Sequence, residues 1–164
     1  MAEDQSYPRV KKFFFLFIFI LSFSKAYSEN FKFIKIANLN NPWGSSFLNN
    51  DEMIITEKSG LIKIVNIINN QVNDVEHNLN FLEDGQGGLL DILHQENKVW
   101  ISYTENRGNM KTSTSKALAN LDKKNLVFNI IFQANPPIDA GYHFGSRLSI
   151  KGKYLYSSAG ERGK

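Results

Sequence analysis

The chain has 164 residues, 19 of them basic and 16 acidic, with 13 Phe, 11 Gly and no Cys. The lack of cysteine excludes a disulfide framework and any thiolate nucleophile or metal ligand, so stability must come from packing or a bound ion. Arg9, Lys11, Lys12, Lys25, Glu3 and Asp4 all precede residue 29, which leaves 15 basic against 14 acidic residues after it. That near-neutral balance removes the electrostatic case for nucleic acid or an acidic membrane as partner.

Arg9, Lys11 and Lys12 precede an apolar run from Phe13 to Phe23, and Ala26-Tyr27-Ser28 follows as a small-x-small site. Basic patch, apolar run and cleavage site in that order define a secretory signal peptide. The run is shorter than the roughly 20 residues a spanning helix needs. The pattern predicts a signal peptide over 1–28, no stable membrane anchor, and a periplasmic or secreted domain over 29–164. Glu3 and Asp4 are atypical of such a leader, and initiation at Val10 would leave a compact one.

Beyond the leader, short alternating or β-branched runs are separated by turn residues, and no long stretch has helical spacing. Strands are predicted near Phe31 to Ile36, Ser45 to Leu48, Met53 to Glu57, Leu61 to Ile67, Gly88 to Leu93, Val99 to Thr104, Leu126 to Phe132, Ser146 to Ile150 and Tyr154 to Ser158. Ser113 to Lys124 reads equally as a strand and turn or as a short helix. Trp43, after Pro42, reads as packing inside a sheet stack rather than as a binding face.

Glu57-Lys58-Ser59-Gly60, Glu105-Asn106-Arg107-Gly108 and Glu161-Arg162-Gly163 each end a strand with a carboxylate and then turn through glycine. Each follows a glycine that opens an apolar strand, namely Gly44, Gly88 and Gly145. The glutamates lie 48 and 56 residues apart, spacings that β-propeller blades of about four strands produce. The fold class predicted is all-β, the first two to three blades of a propeller. Two blades and the start of a third do not close a ring, so a C-terminally truncated domain, inactive alone, is expected.

His143 is the leading chemical candidate, two residues before Gly145, and Gln86 stands two residues before Gly88. On a propeller both lie on turns that feed innermost strands, at one end of the channel, where small-molecule sites are built. Histidine serves there as a general base near neutral pH. Glu161, 18 residues on, is spaced to orient the imidazole. His77, among Asn73, Asp74, Glu76 and Asn78, reads as a solvated loop residue, and His94 as part of a polar turn. Asp84 and Asp91 flank a glycine-rich segment without the spacing of a calcium loop, and that segment lacks the Lys-Ser/Thr of a phosphate loop.

Asn41-Pro42-Trp43-Gly44, Ile55-Thr56-Glu57-Lys58-Ser59-Gly60, Gly85-Gln86-Gly87-Gly88-Leu89-Leu90-Asp91, Ser102-Tyr103, His143-Phe144-Gly145-Ser146-Arg147-Leu148 and Gly160-Glu161-Arg162-Gly163 together resemble one family. It is that of the soluble pyrroloquinoline quinone (PQQ)-dependent aldose sugar dehydrogenases of the glucose and sorbosone dehydrogenase type. The resemblance implies a six-bladed β-propeller, exported to the periplasm, that oxidises the anomeric carbon of aldoses to lactones with hydride transfer to PQQ. His143 matches the general base, Gln86 a residue contacting substrate, and Glu161 the acidic partner of the histidine, usually Asp in the family. Tyr142 stands where the glucose-specific branch carries a sugar-binding Asp, so strict glucose preference is not implied. The cofactors implied are PQQ and calcium, with their ligands in later blades. The partners are an aldose and an electron acceptor for reduced PQQ. A non-catalytic exported propeller that binds other molecules, or a calcium-dependent lactonase, are the alternative readings of the same fold.

Overall fold

Apolar residues at alternate positions, with Asn- and Gly-bearing turns between them, leave the chain little choice but sheets. A computed structural model describes residues 31–163 and contains strands and no helix among them. The signal segment over 1–28 lies outside the described residues. The chain divides into Met1–Ile34 and Lys35–Lys164, and all eleven strands fall in the second unit.

The first sheet runs β1 (Pro42–Phe47), β2 (Glu52–Glu57), β3 (Ile62–Asn66) and β4 (Val72–His77), each antiparallel to the last. The second repeats the scheme with β5 (Leu89–Gln95), β6 (Lys98–Asn106), β7 (Thr112–Asn120) and β9 (Asn129–Gln133). A short β8 (Asn125–Leu126) leaves the second sheet to pair in parallel with the outer edge of β4. A third begins as the hairpin β10 (Gly145–Lys151) and β11 (Tyr154–Ala159). These are successive blades of a propeller that is not closed among the described residues.

Local chemistry sets the hairpins. Asn49 Oδ1 accepts the Asp51 and Glu52 backbone N–H groups between β1 and β2, and Asn66 Oδ1 accepts those of Ile68 and Asn69 after β3. Such side chains mimic the backbone of a turn. Between the first two sheets, Ile54, Ile62, Ile64 and Val75 pack with Leu89, Ile92, Val99, Ile101, Tyr103 and Ala117 in one core cluster. Truncating one of these buried isoleucines or leucines to Ala should cost about 2–5 kcal/mol.

A repeated hydroxyl latch ties blade to blade. The innermost strand of each blade carries an irregularity, at Pro42/Gly44, Leu89/Ile92 and Gly145/Leu148, where a backbone N–H loses its ladder partner. The orphaned N–H groups of Gly44, Asp91 and Arg147 donate instead to the hydroxyls of Thr56, Ser102 and Ser158, each at 3.0 Å. Thr56 then donates to the Leu90 carbonyl at 2.5 Å and Ser102 to the Ser146 carbonyl at 2.6 Å, each on the next blade's innermost strand. Backbones approach so closely here that a Cβ on Gly44 would lie 2.7 Å from Asp91 Cα.

This frame revises the glycine and glutamate alignment read from the sequence. Thr56, Ser102 and Ser158 are equivalent, so Glu105 and Glu161 match, each three residues later, whereas Glu57 directly follows Thr56. Hydrogen-bond geometry, not the recurrence of common turn residues, defines the repeat.

Other expectations change too. Phe31 to Ile36 form no strand. The β4 strand went unforeseen because only Val75 in it is buried, the sign of an edge strand with little apolar pattern. The ambiguous stretch is a strand, β7, in the middle of its sheet; buried Glu105 accepts hydrogen bonds from Ser113 and Ser115 and so satisfies that small polar run. Leu126 to Phe132 is broken where Asn78 bonds both the N–H and the carbonyl of Phe128. Trp43 is 48% exposed rather than packed inside. His77 is not a solvated loop residue: it ends β4, half-buried, with Nε2 2.8 Å from the Gly60 carbonyl. His94 lies within β5 rather than in a turn.

Candidate active site

Three turns at one end of the blades interlock: Asp84 to Gly88 before β5, Asp139 to Phe144 before β10, and Gly160 to Gly163 after β11. Gly85 makes the first contact possible. Its φ of +53° is left-handed, and a Cβ there would lie 2.2 Å from the Gly141 carbonyl oxygen; without one, the Gln86 N–H donates to that oxygen at 2.6 Å. Gln86 Oε1 in turn accepts the His143 backbone N–H at 3.0 Å.

His143 (φ 54°) and Arg162 (φ 59°) both hold left-handed backbone conformations without being glycine. Such strain persists only where surrounding contacts impose it, and it concentrates at functional sites. The His143 and Glu161 side chains remain half-exposed, 50% and 58%, and Nδ1 of the imidazole is hydrogen-bonded to Glu161 Oε1. The same oxygen accepts the Gly163 N–H at 3.2 Å. The bond to His143 is the main cause holding the Glu161 carboxyl below its ordinary 4.5. An ionised carboxylate only accepts, so Nδ1 carries a hydrogen, and in the neutral imidazole Nε2 is the nitrogen with the lone pair. Tyr142, exposed, sets its ring edge-on to the imidazole with centroids 4.9 Å apart. All four residues singled out in the sequence, His143, Glu161, Gln86 and Tyr142, therefore meet at one edge.

Two further residues build this edge and were not singled out for it. Asp91 is buried and joins β5 to β10, accepting Arg147 Nη1 at 2.9 Å and the Leu148 N–H at 2.7 Å; this is a structural tie, not a cation site. Arg162 lies beneath the histidine turn. Position alone did not reveal either role, because both depend on contacts with segments distant along the chain, 56 residues for Asp91 to Arg147 and 22 for Arg162 to Ala140.

The 126-residue stretch 39–164 matches the family model for glucose / sorbosone dehydrogenase. The chain belongs to that family. Among relatives of this glucose/sorbosone dehydrogenase family member, an uncharacterized protein of Synechocystis sp. is 32% identical over 144 residues, which cover 78% of this chain and 34% of the relative. Among solved structures, the soluble aldose sugar dehydrogenase of Escherichia coli in its apo form superposes with TM-score 0.70 at 29% identity, over 76% of this chain and 39% of that one. The PQQ-bound aldose sugar dehydrogenase of Streptomyces coelicolor shares the fold, with TM-score 0.66 at 21% identity, over 80% of this chain and 41% of that one. The chain thus spans about a third of its curated relative.

Among the described residues, no three His, Cys, Asp or Glu side chains group to hold a metal ion. Among the described residues beside these turns, Arg162 spends Nε and Nη2 on the protein, Arg147 Nη1 pairs with Asp91, and Lys58 faces Glu83 at 3.6 Å. The described residues therefore fit a proton-accepting and hydroxyl-binding role, and do not fit the holding of calcium or of a quinone's carboxylates.

Proposed function

We propose that the His143 edge is the substrate side of a sugar dehydrogenase site in an exported quinoprotein. The observation that carries the reading is the imidazole fixed through Nδ1 by ionised Glu161, which leaves Nε2 as a base. Nε2 takes the proton of an aldose's anomeric hydroxyl while the hydrogen on the same carbon departs with its electron pair. Carbon–oxygen double-bond formation then yields the lactone. Gln86, whose Oε1 already holds the His143 N–H, has its amide N–H groups left to donate to a sugar hydroxyl. Tyr142 supplies an aromatic wall where, by the resemblance, the glucose-specific branch carries a sugar-binding Asp, so strict glucose preference is not expected.

PQQ, when bound, supplies an electrophilic carbonyl carbon that accepts the hydride, and an external acceptor later removes the electrons. The family membership and the shared fold of a PQQ-bound relative support this cofactor, and calcium accompanies it by the same resemblance. No step is assigned to this chain's residues through either. The signal-peptide pattern read in the sequence of 1–28 is what supports a periplasmic or secreted location.

The test uses full-length protein supplied with PQQ and calcium, an artificial electron acceptor and a panel of aldoses. His143→Ala should lower kcat by at least about 10²-fold, the usual contribution of a positioned base. Undiminished turnover in that variant overturns the reading.

A further inference from the structure

Arg162 directly follows Glu161, yet where Glu161 faces solvent Arg162 is only 8% exposed. A guanidinium taken out of water is costly unless its donors are used, and here Nε and Nη2 are used in one direction. Nη2 donates to Thr112 Oγ1 at 2.7 Å and to the Ala140 carbonyl, and Nε donates to the Tyr142 carbonyl at 3.1 Å. The guanidinium carbon stacks over the Phe144 ring, 3.9 Å from its centroid. Desolvation draws its pKa down, and the charge of Asp84 opposes that.

Apart from the bond to Thr112, these contacts bracket one residue: they fall on Ala140, Tyr142 and Phe144, on either side of His143, whose backbone is left-handed and whose side chain is half-exposed. Lys, a point charge on a flexible stem, cannot serve two carbonyls, a hydroxyl and a ring face at once; the planar fork can. Adjacent residues thus act on one turn from two sides, Glu161 on the His143 ring and Arg162 on the carbonyls of Ala140 and Tyr142 that flank it.

We infer that Arg162 is the positioning residue that holds the histidine turn in its left-handed form, so that the imidazole meets Glu161 through Nδ1. The inference rests on the reading of His143 as the base. It assigns to Arg162 no contact with sugar or cofactor.

The experiment compares wild-type full-length protein with Arg162→Lys and Thr112→Val, the second removing one acceptor of the guanidinium without changing charge, along with that hydroxyl's longer bonds to the Ile138 and Ala140 carbonyls. Steady-state kinetics with an aldose are read beside the imidazole ¹⁵N spectrum of the cofactor-free protein, which reports the His143 tautomer independently of turnover. Arg162→Lys should lower kcat about 10- to 10²-fold, as misplacement of a reacting group does, with KM changed less than about threefold. The spectrum should change from a single Nδ1–H tautomer to a mixture. Thr112→Val should shift both readouts the same way by less, and it decides the matter if Arg162→Lys does not fold. Full kcat in folded variants, or a lowered kcat with the tautomer unchanged, overturns the inference. Activity retained by His143→Ala would instead remove the reading beneath it, whereas a dead His143→Ala beside a fully active Arg162→Lys removes this inference alone.

Discussion

Gln86 and His143, 57 residues apart, are joined by the Gln86 side-chain oxygen, which accepts the His143 backbone N–H at 3.0 Å. The Gln86 backbone N–H meanwhile donates to the Gly141 carbonyl. One residue of the second blade thereby fastens the turn that presents the imidazole, and it does so with the acceptor end of its amide, leaving the donor end available.

Gln86→Ala removes both ends, whereas Gln86→Glu keeps an acceptor for the His143 N–H and loses the donors. In aldose oxidation by the full-length protein, Ala should lower kcat/KM about tenfold or more, equivalent to about 1.4 kcal/mol. Glu should retain the histidine turn, with its loss expressed chiefly in KM. Equal kcat losses in both variants would show that the tie to His143 is immaterial.

Thr56 and Ser102 are fully buried, and each hydroxyl serves an orphaned N–H on its own blade and a carbonyl on the next. Thr56→Val preserves shape and leaves two buried polar groups without a partner, so a loss of about 1–3 kcal/mol is expected. Ser102→Ala should cost a similar amount. Urea unfolding of each variant against wild type measures it, and a midpoint unchanged in both would remove the latch from the account of stability.

Lys116 lies in the middle strand of the second blade, 4% exposed, with its ammonium 5.4 Å from the centroid of the Phe132 ring. Burial pulls its pKa from 10.5 down to about 8. Between those values the unfolded chain binds more protons than the folded one, so stability rises as pH increases through this range. Below pH 8 the charged lysine opposes folding in full. Lys116→Met should therefore stabilise the protein at pH 7, and its advantage should shrink as pH approaches 10. Denaturation midpoints at both pH values test this, and a pH-independent difference contradicts it.

Much of the fold was legible because its signals are local. Ile54, Ile62, Ile64, Leu89 and Ile101 sit in alternating runs, and Asn49 and Asn66 close turns with their own side chains. What escaped was set by neighbours. β4 holds one buried residue, β7 opens with a run of Thr and Ser whose Ser113 and Ser115 are satisfied by buried Glu105, and the break at Phe128 comes from Asn78, 50 residues away. At the site, His143, Glu161, Gln86 and Tyr142 stood out by spacing and resemblance. Arg162 did not, since a charged residue in a Gly-Glu-Arg-Gly turn reads as solvated until its burial is seen.

Sequence alone determined that the chain is all-β, cysteine-free and repetitive, since composition and period-two alternation suffice for that. Tertiary structure decided which residues are equivalent between blades and which nitrogen of His143 is left free. Both depend on directional hydrogen bonds between segments distant along the chain, and periodicity carries no information about where those donors and acceptors meet.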